Sequence, residues 1–463
     1  MDFRVLVMRC EEYDREAVER IVSEGMRVLD YRPAGKIFAK PNLVFGYKPE
    51  TYGQHAYTHR SLMGGSILAL AKSDSVTRVD IGENAAVGMP TRMVYKYAGY
   101  YDELCRIREQ APCPVEIFCI DEEPRDSVFV GGRVHDTLRI ARRMARADSK
   151  VYLPKLKCHC VSNMTGAVKL NIGICSDDER SVRHDFMLDE KIVDLLAVGW
   201  PDFVVMDAIE VGVGNEAMPT PRRLGLIIMG RNPIAVDLVG ARLLGFNLED
   251  VPYLKAAVKR EYTPASLEEV RLGGDLTSIQ ALDEHARRIM PYDDEYTRWQ
   301  DVHKELERLK SPIRFYWGPY GRKGDSQRCL TGCVMGLKMF LAFFERYAGP
   351  EAFARAKPVS LVIGRWDKEI DGRGNQVFLI GSCAMASVAN ASKVTHMDKC
   401  FTTAGDMMQT ISYKLGMPSP FLDPAFLFRY LGAILKASLR KLVSLRYLQD
   451  IGHFVTKQLV RRV

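Results

Sequence analysis

The chain has 463 residues, 47% hydrophobic and 27% charged, a length that calls for two or three cores and a composition that excludes disorder. No apolar run approaches the roughly 20 residues of a membrane-spanning helix, and the opening MDFRVLVMRC reads as a strand, not a leader, so a cytoplasmic protein is expected. The net charge of +7 sits wholly at one end: residues 424–463 hold eight Lys or Arg against Asp450 alone, leaving 57 of each sign elsewhere, which argues against a nucleic-acid channel through the body.

Strands are predicted at 3–9, 36–44, 76–82, 115–121, 149–156, 202–209 and 224–230. Helical patterns fall between them at 14–29, 61–73, 91–108, 135–147, 188–198 and 233–244. Strands alternating with helices predict an α/β fold with a largely parallel sheet and flanking helices. A polar helical segment near 283–310 leads into GPYGRKGDSQ, which marks a boundary around 311–326. A smaller α/β unit follows, with a helix at 332–347, strands at 359–366 and 376–383, and a helix from about 403. The DGRGN turn between the two strands reads as a hairpin. The expected division is 1–312, 313–417 and a basic helical tail, 418–463.

Eleven cysteines, an odd number irregularly spaced, do not form a disulfide framework. Four of them lie in the smaller unit: Cys329-x3-Cys333, Cys383 and Cys400. Cys329 and Cys333 flank a helix start, Cys383 ends a strand and Cys400 precedes a helix, positions that share one rim in α/β units. Helix starts lower thiolate pKa values and favour an anionic cluster. Spacing alone leaves a [4Fe–4S] cluster, structural zinc and unrelated core cysteines open.

KPNLV (40–44), PKLKCH (154–159), TGAVKLNIG (165–173), PDFVVMDAI with a following GVG (201–214) and GRNPIAVDLVGARLLG (230–245) make the chain resemble the family called domain of unknown function 362. The resemblance covers nearly all of residues 30–410. It implies an iron–sulfur association, a trait common among members whose chemistry is mostly unassigned. The C-terminal unit is also similar to cluster-bearing members in its Gly-Ser-Cys383 after a strand and its cysteine before a last helix. Two departures stand out: Cys400 is followed by Phe401-Thr402 rather than prolines, and the tight ferredoxin CxxCxxCxxxCP run is absent, so no second cluster is expected.

In the larger unit, Lys155, Lys157 and His159 alternate along a strand end and should face one way. With Lys40 and Asn42 after an earlier strand, and Lys169 and Asn171 in TGAVKLNIG, they make a candidate anion site at the strand C-termini. His159 and Lys157 are the candidate proton-transfer groups, and Asp207 at the end of DFVVMDAI is a candidate base or ion-pair partner. Asp237 could start a helix or pair with Arg242, and His184-Asp185 reads as a surface pair. Cys158-His159-Cys160 is set aside as a metal site because an extended chain turns its cysteines away from the histidine. No GxxxxGK[ST] or GxGxxG follows a strand, so no nucleotide-binding Rossmann domain is expected.

In the tail, Leu427, Leu431, Ile434, Leu442 and Leu445 fall on one face with Arg429, Lys436 and Arg440 opposite. Packing on the chain's own body or in a homodimer is the commonest fate of such a face, and peripheral membrane contact is the alternative. The whole reads as an iron–sulfur-dependent oxidoreductase with a [4Fe–4S] cluster, a small anionic substrate, and an electron donor such as a ferredoxin or flavodoxin. Its rivals are an electron-transfer or cluster-carrying protein without a substrate, a non-redox iron–sulfur lyase, and structural zinc.

Overall fold

A computed structural model describes residues 2–288, 301–321, 327–329, 332–419 and 422–452. The N-terminal strands are β1 (Arg4–Arg9), β2 (Gly35–Pro41), β3 (Val76–Glu83) and β4 (Val115–Cys119). They are followed by β5 (Arg125–Phe129), β6 (Thr137–Ala141), β7 (Ser149–Leu153), β8 (Lys155–His159) and β9 (Asn163–Thr165). Then come β10 (Phe203–Val213), β11 (Thr220–Gly230) and β12 (Arg271–Gly274). The large sheet runs β12-β1-β11-β10-β7-β2-β3-β4, with β8 beside β10 and β9 beside β8. Only β11, against β1 and β10, and β9, against β8, pair antiparallel. The sheet is therefore mostly parallel, as expected.

Period-two sorting explains the two cores. Phe38, Tyr152, Val204 and Met206 enter one cluster, and their neighbours Ile37, Ala39, Val151, Leu153 and Val205 enter the other. Helices cover both faces, so both sets are buried and the strands read as continuous apolar runs. Helix α1 (Arg15–Val28) is capped by Asp14, and α2 (Pro233–Leu243) by Asn232 with Pro233 in its first turn.

Two predicted helices fail. The 91–108 pattern breaks at Gly99, φ 73°, into Thr91–Tyr97 and Tyr100–Arg108. The 135–147 segment is mainly strand β6, antiparallel to β5, because Leu138 and Ile140 alternate with Arg139 and are buried at period two. The polar 283–310 segment contains helix ends at Ala286 and Arg308, and its residues 289–300 lie outside the described set.

The smaller unit has a parallel sheet of β13 (Arg314–Trp317), β14 (Val359–Asp371), β15 (Gln376–Ala389) and β16 (Lys393–Met397). Helix α3 (Cys333–Ala348) crosses from β13 towards β14. The hairpin expected at DGRGN is wrong, since β14 and β15 pair in parallel, Val359 opposite Gln376 and Asp371 opposite Ala389. Four residues cannot span a straight 13-residue strand, so β14 must double back. It does so at Gly364 (φ 74°), and β15 bends correspondingly at Gly381 (φ 101°). Arg314, paired with Ser360 at the start of β14, accordingly also donates to the carbonyls of Asp371 and Gly372.

The tail forms helix α4 (Pro424–Val443), capped by Asp423. Among the described residues no helix is long and apolar enough to cross a membrane.

Candidate functional site

The C-terminal ends of β2, β3 and β8 deliver Lys40, Glu83, Lys157 and His159 to one cavity of about 80 Å³. Asn42, Lys169, Arg180 and Glu216 complete its polar wall. Gly166 and Gly173 line it where a side chain could not fit: a Cβ at Gly173 would lie 2.5 Å from Lys40 Nζ and 2.3 Å from Glu83 Oε1.

Lys40 is fully buried and donates to Glu83 Oε1 at 2.5 Å and to Pro41 O at 3.3 Å. Glu83 Oε2 in turn accepts from Leu43 N at 2.9 Å. Lys157 Nζ donates to the carbonyls of Ala56 (2.7 Å) and Glu216 (2.5 Å). Burial brings Lys157 down to about 7 and Lys169 down to about 8, Glu216 only partly opposing the fall. Lys169 Nζ makes no hydrogen bond among the described residues, and its charged neighbours include Glu216 and Asp189. Arg180 is fastened by its guanidinium to the carbonyls of Asn84 and Ala85. Four cations against two carboxylates make the cavity anion-selective when its lysines are charged.

His159 is held in one tautomer. Its Nδ1 accepts from Val161 N (3.1 Å) and Ser162 N (3.2 Å), so the ring proton lies on Nε2, which points to Glu216 Oε1 at 3.6 Å. Burial drives its pKa down to about 3, leaving a neutral hydrogen-bond donor at working pH. Ligand atoms of His159, Cys160 and Glu216 lie within 4.8 Å of one another. The alternation that separates neighbours on a strand ends with β8 at His159, which is why Cys160 can approach. A metal-bound imidazole donates its other N–H outward. Here two main-chain N–H groups occupy that nitrogen, so the trio is a hydrogen-bonding wall and not a metal site.

Three predicted site residues fall outside the cavity. Lys155 is drawn to Asp207 Oδ2 (3.1 Å) and the Tyr13 hydroxyl (2.7 Å), and that hydroxyl donates to Asp207 Oδ1 (2.9 Å). Asp207 also accepts from His59 N, which extends the network. Asn171 accepts from the Tyr152 hydroxyl at 2.6 Å and donates to Val168 O, which orders the turn under the cavity floor. Asp237 does not pair with Arg242, because its carboxylate accepts from Ala167 N, Val168 N and the Tyr253 hydroxyl.

Glu83, Arg180 and Glu216 were not foreseen. Glu83 is the last residue of β3, one past the predicted strand end, so the strand-end rule applied one residue further would have found it. Glu216 lies in the connection between β10 and β11, and Arg180 in a helix of only five residues, Asp177–Ser181, neither long enough to carry a periodic signal.

The four cysteines are brought together in the smaller unit. Cys333 opens α3, and its Sγ accepts from Thr402 N at 3.3 Å, two residues beyond Cys400. A Cβ at Gly381 would sit 2.9 Å from Cys333 Sγ and 3.9 Å from Cys383 Sγ, and one at Gly332 would sit 3.8 Å from Cys329 Sγ. Cys383 feels Cys329 and Cys400 electrostatically, and Cys333 feels Cys383 and Cys400. The expected lowering of thiol pKa at the helix start does not occur. Burial raises Cys333 to about 11 and also raises Cys383 and Cys400, with neighbouring thiols adding to it at Cys333 and Cys383 and Asp185 at Cys400. Cys383 does not end its strand but stands at the Gly381 bend, where β15 has three more residues than β14.

Two contacts connect cysteines and cavity. The ring of Phe401, next to Cys400, stacks on His184 with centroids 5.3 Å apart, and His184 Nδ1 lies 3.0 Å from Lys191 Nζ. Both His184 Nδ1 and Lys191 Nζ contact the carbonyl of Arg180, whose side chain lines the cavity. Lys338, little more than one turn along α3 from Cys333, donates to Cys160 O at 3.1 Å, immediately beyond His159. His184 is thus a bridging residue, not a surface acid–base pair with Asp185.

Residues 37–242 match the model of a family described as a domain of unknown function (DUF362). The thylakoid-associated protein sll1697 of Synechocystis sp. is 24% identical over 244 residues, 51% of this chain and 71% of that protein. The lactate racemase apoprotein from Thermoanaerobacterium thermosaccharolyticum overlaps 52% of this chain at 12% identity with a TM-score of 0.35. The overlap spans 57% of that protein, and likeness at this level says nothing of chemistry.

Proposed function

We propose that this chain, whose residues 37–242 form a domain of the DUF362 family, is a cytoplasmic iron–sulfur-dependent oxidoreductase acting on a small anionic substrate. The observation that carries the reading is the junction itself: four converging cysteines separated by one stacked pair, Phe401 and His184, from the wall of a cation-rich cavity. The donor set fits a [4Fe–4S] cluster held by Cys329, Cys333, Cys383 and Cys400. Glycines at 332 and 381 put no side chain beside the sulfurs of Cys329, Cys333 and Cys383, and Thr402 N donates to Cys333 Sγ. A cluster bound there supplies single electrons, delivered by a donor such as a ferredoxin or flavodoxin.

The rest is done by the chain's own side chains. Lys169, whose Nζ makes no hydrogen bond among the described residues, and Lys157 bind the substrate's negative charge. His159 Nε2–H donates to an oxygen that gains charge, as a fixed neutral donor. Lys157, near neutrality, is the group able to hold or release a proton at Nζ. Lys40–Glu83 fixes the floor.

The test is reoxidation of the reduced protein by a panel of small carboxylates and phosphates under anaerobic conditions. An active anion that fails with Lys169→Ala, while the variant keeps its iron content, supports the enzyme. If no anion perturbs the spectrum or the reoxidation rate, a carrier without its own substrate is the better reading.

A further inference from the structure

Helix α4 lies on the large unit by the face carrying Phe426, Tyr430 and Ala433. Phe426 is buried against Tyr47, the Tyr430 hydroxyl donates to Gly88 O at 2.9 Å, and Ser444 Oγ donates to Glu122 O at 3.1 Å. Lys48 pairs with the cap Asp423 at 3.0 Å. The expectation that the leucine face packs on the chain's own body is therefore overturned. The small and aromatic residues on the other side do that packing.

What is left outward is a stripe of Phe428, Leu431, Leu435, Leu439 and Leu442, which fall within about 80° of one another at the helical period. Phe428, Leu435 and Leu442 are 75%, 62% and 62% exposed. Beyond the helix, Leu448 (63%) and Ile451 (59%) add further exposed apolar surface. A contiguous apolar stripe of this length on an anchored helix marks an interaction surface. Lys436 and Arg440 lie about 60–100° beyond one edge of it at the helical period, Arg429 is drawn to the Tyr97 hydroxyl, and no acid occurs between Asp423 and Asp450. That charge pattern chooses the occupant. A second copy docked stripe to stripe would set basic rows together with no carboxylate on either helix to pair them. An anionic lipid surface meets both the stripe and its basic edge.

We propose that α4 seats the protein on an anionic bilayer surface, the stripe entering the headgroup boundary and Lys436 and Arg440 reaching lipid phosphates. Because the helix is held to the body before binding, little ordering cost is added on contact.

The experiment is co-sedimentation of the full chain with phosphatidylcholine vesicles, with and without phosphatidylglycerol, alongside sedimentation velocity without lipid. The expected result is binding to phosphatidylglycerol vesicles that weakens with added salt and is lost in Phe428→Glu/Leu435→Glu. Lys436→Gln with Arg440→Gln should weaken it roughly 30-fold. All these positions are exposed, and an unchanged circular dichroism spectrum checks that the variants fold. No binding to phosphatidylglycerol vesicles overturns the proposal, as does equal binding to both vesicle types. A dimer that Phe428→Glu dissociates, with no vesicle binding, overturns it in favour of a second copy.

Discussion

Lys157 donates to two main-chain carbonyls, and a neutral amine has hydrogens enough for both, so the contacts persist through its titration. With Lys157 at about 7 and Lys169 at about 8, raising the pH removes up to two positive charges from the cavity. The sign is fixed: a small carboxylate binds best below about pH 7 and loses roughly tenfold or more in affinity by about pH 9, measured by titration calorimetry. Asp237 is instead structural. Removing its carboxylate in Asp237→Ala leaves Ala167 N and Val168 N buried without acceptors, at a cost of about 3 kcal/mol in urea unfolding. Lysines at 155, 157 and 169 were legible as a set because strand ends gather ligands. Which of them would be consumed internally was not, since Tyr13 and Asp207, the partners of Lys155, stand 142 and 52 positions away in sequence.

The strands of the smaller unit carry a register that the sequence contains but that a search for periods of 20–50 residues passes over. VSLVIG, QVFLIG and KVTHMD recur at 17-residue spacing, and the parallel pairing of β14, β15 and β16 begins at that same offset. Trp366, Cys383 and Cys400 share one position of this repeat. The two cysteines were found, but not the coil that stacks them, because a short glycine-containing turn between apolar runs ordinarily means a hairpin. Positive φ at Gly364 and Gly381 makes the difference by letting each strand turn back. Gly381→Ala combines a strained backbone with a Cβ 2.9 Å from Cys333 Sγ. Its expected effect is loss of more than half the bound iron, while the large unit's thermal unfolding hardly changes, read by metal analysis and calorimetry.

Across the whole molecule, α/β alternation, the order of the units and the basic tail were all legible, being local patterns. The junction was not. Lys338 looks like one polar residue in an apolar helix, yet it is buried on Cys160 O, and Phe343 meets Phe45 edge-on at 4.7 Å. Truncating this aromatic contact in Phe343→Ala should cost about 3 kcal/mol, seen as earlier loss of the junction in urea. The junction matters because it brings a thiol cluster to a cation-lined cavity, and everything proposed about function depends on what those thiols hold. The most direct measurement is iron, acid-labile sulfide and zinc per chain in protein purified without oxygen, alongside Cys333→Ala. About four irons and four sulfides, lost in the variant, are expected. One zinc without sulfide would contradict the cluster and reduce the four cysteines to a structural site.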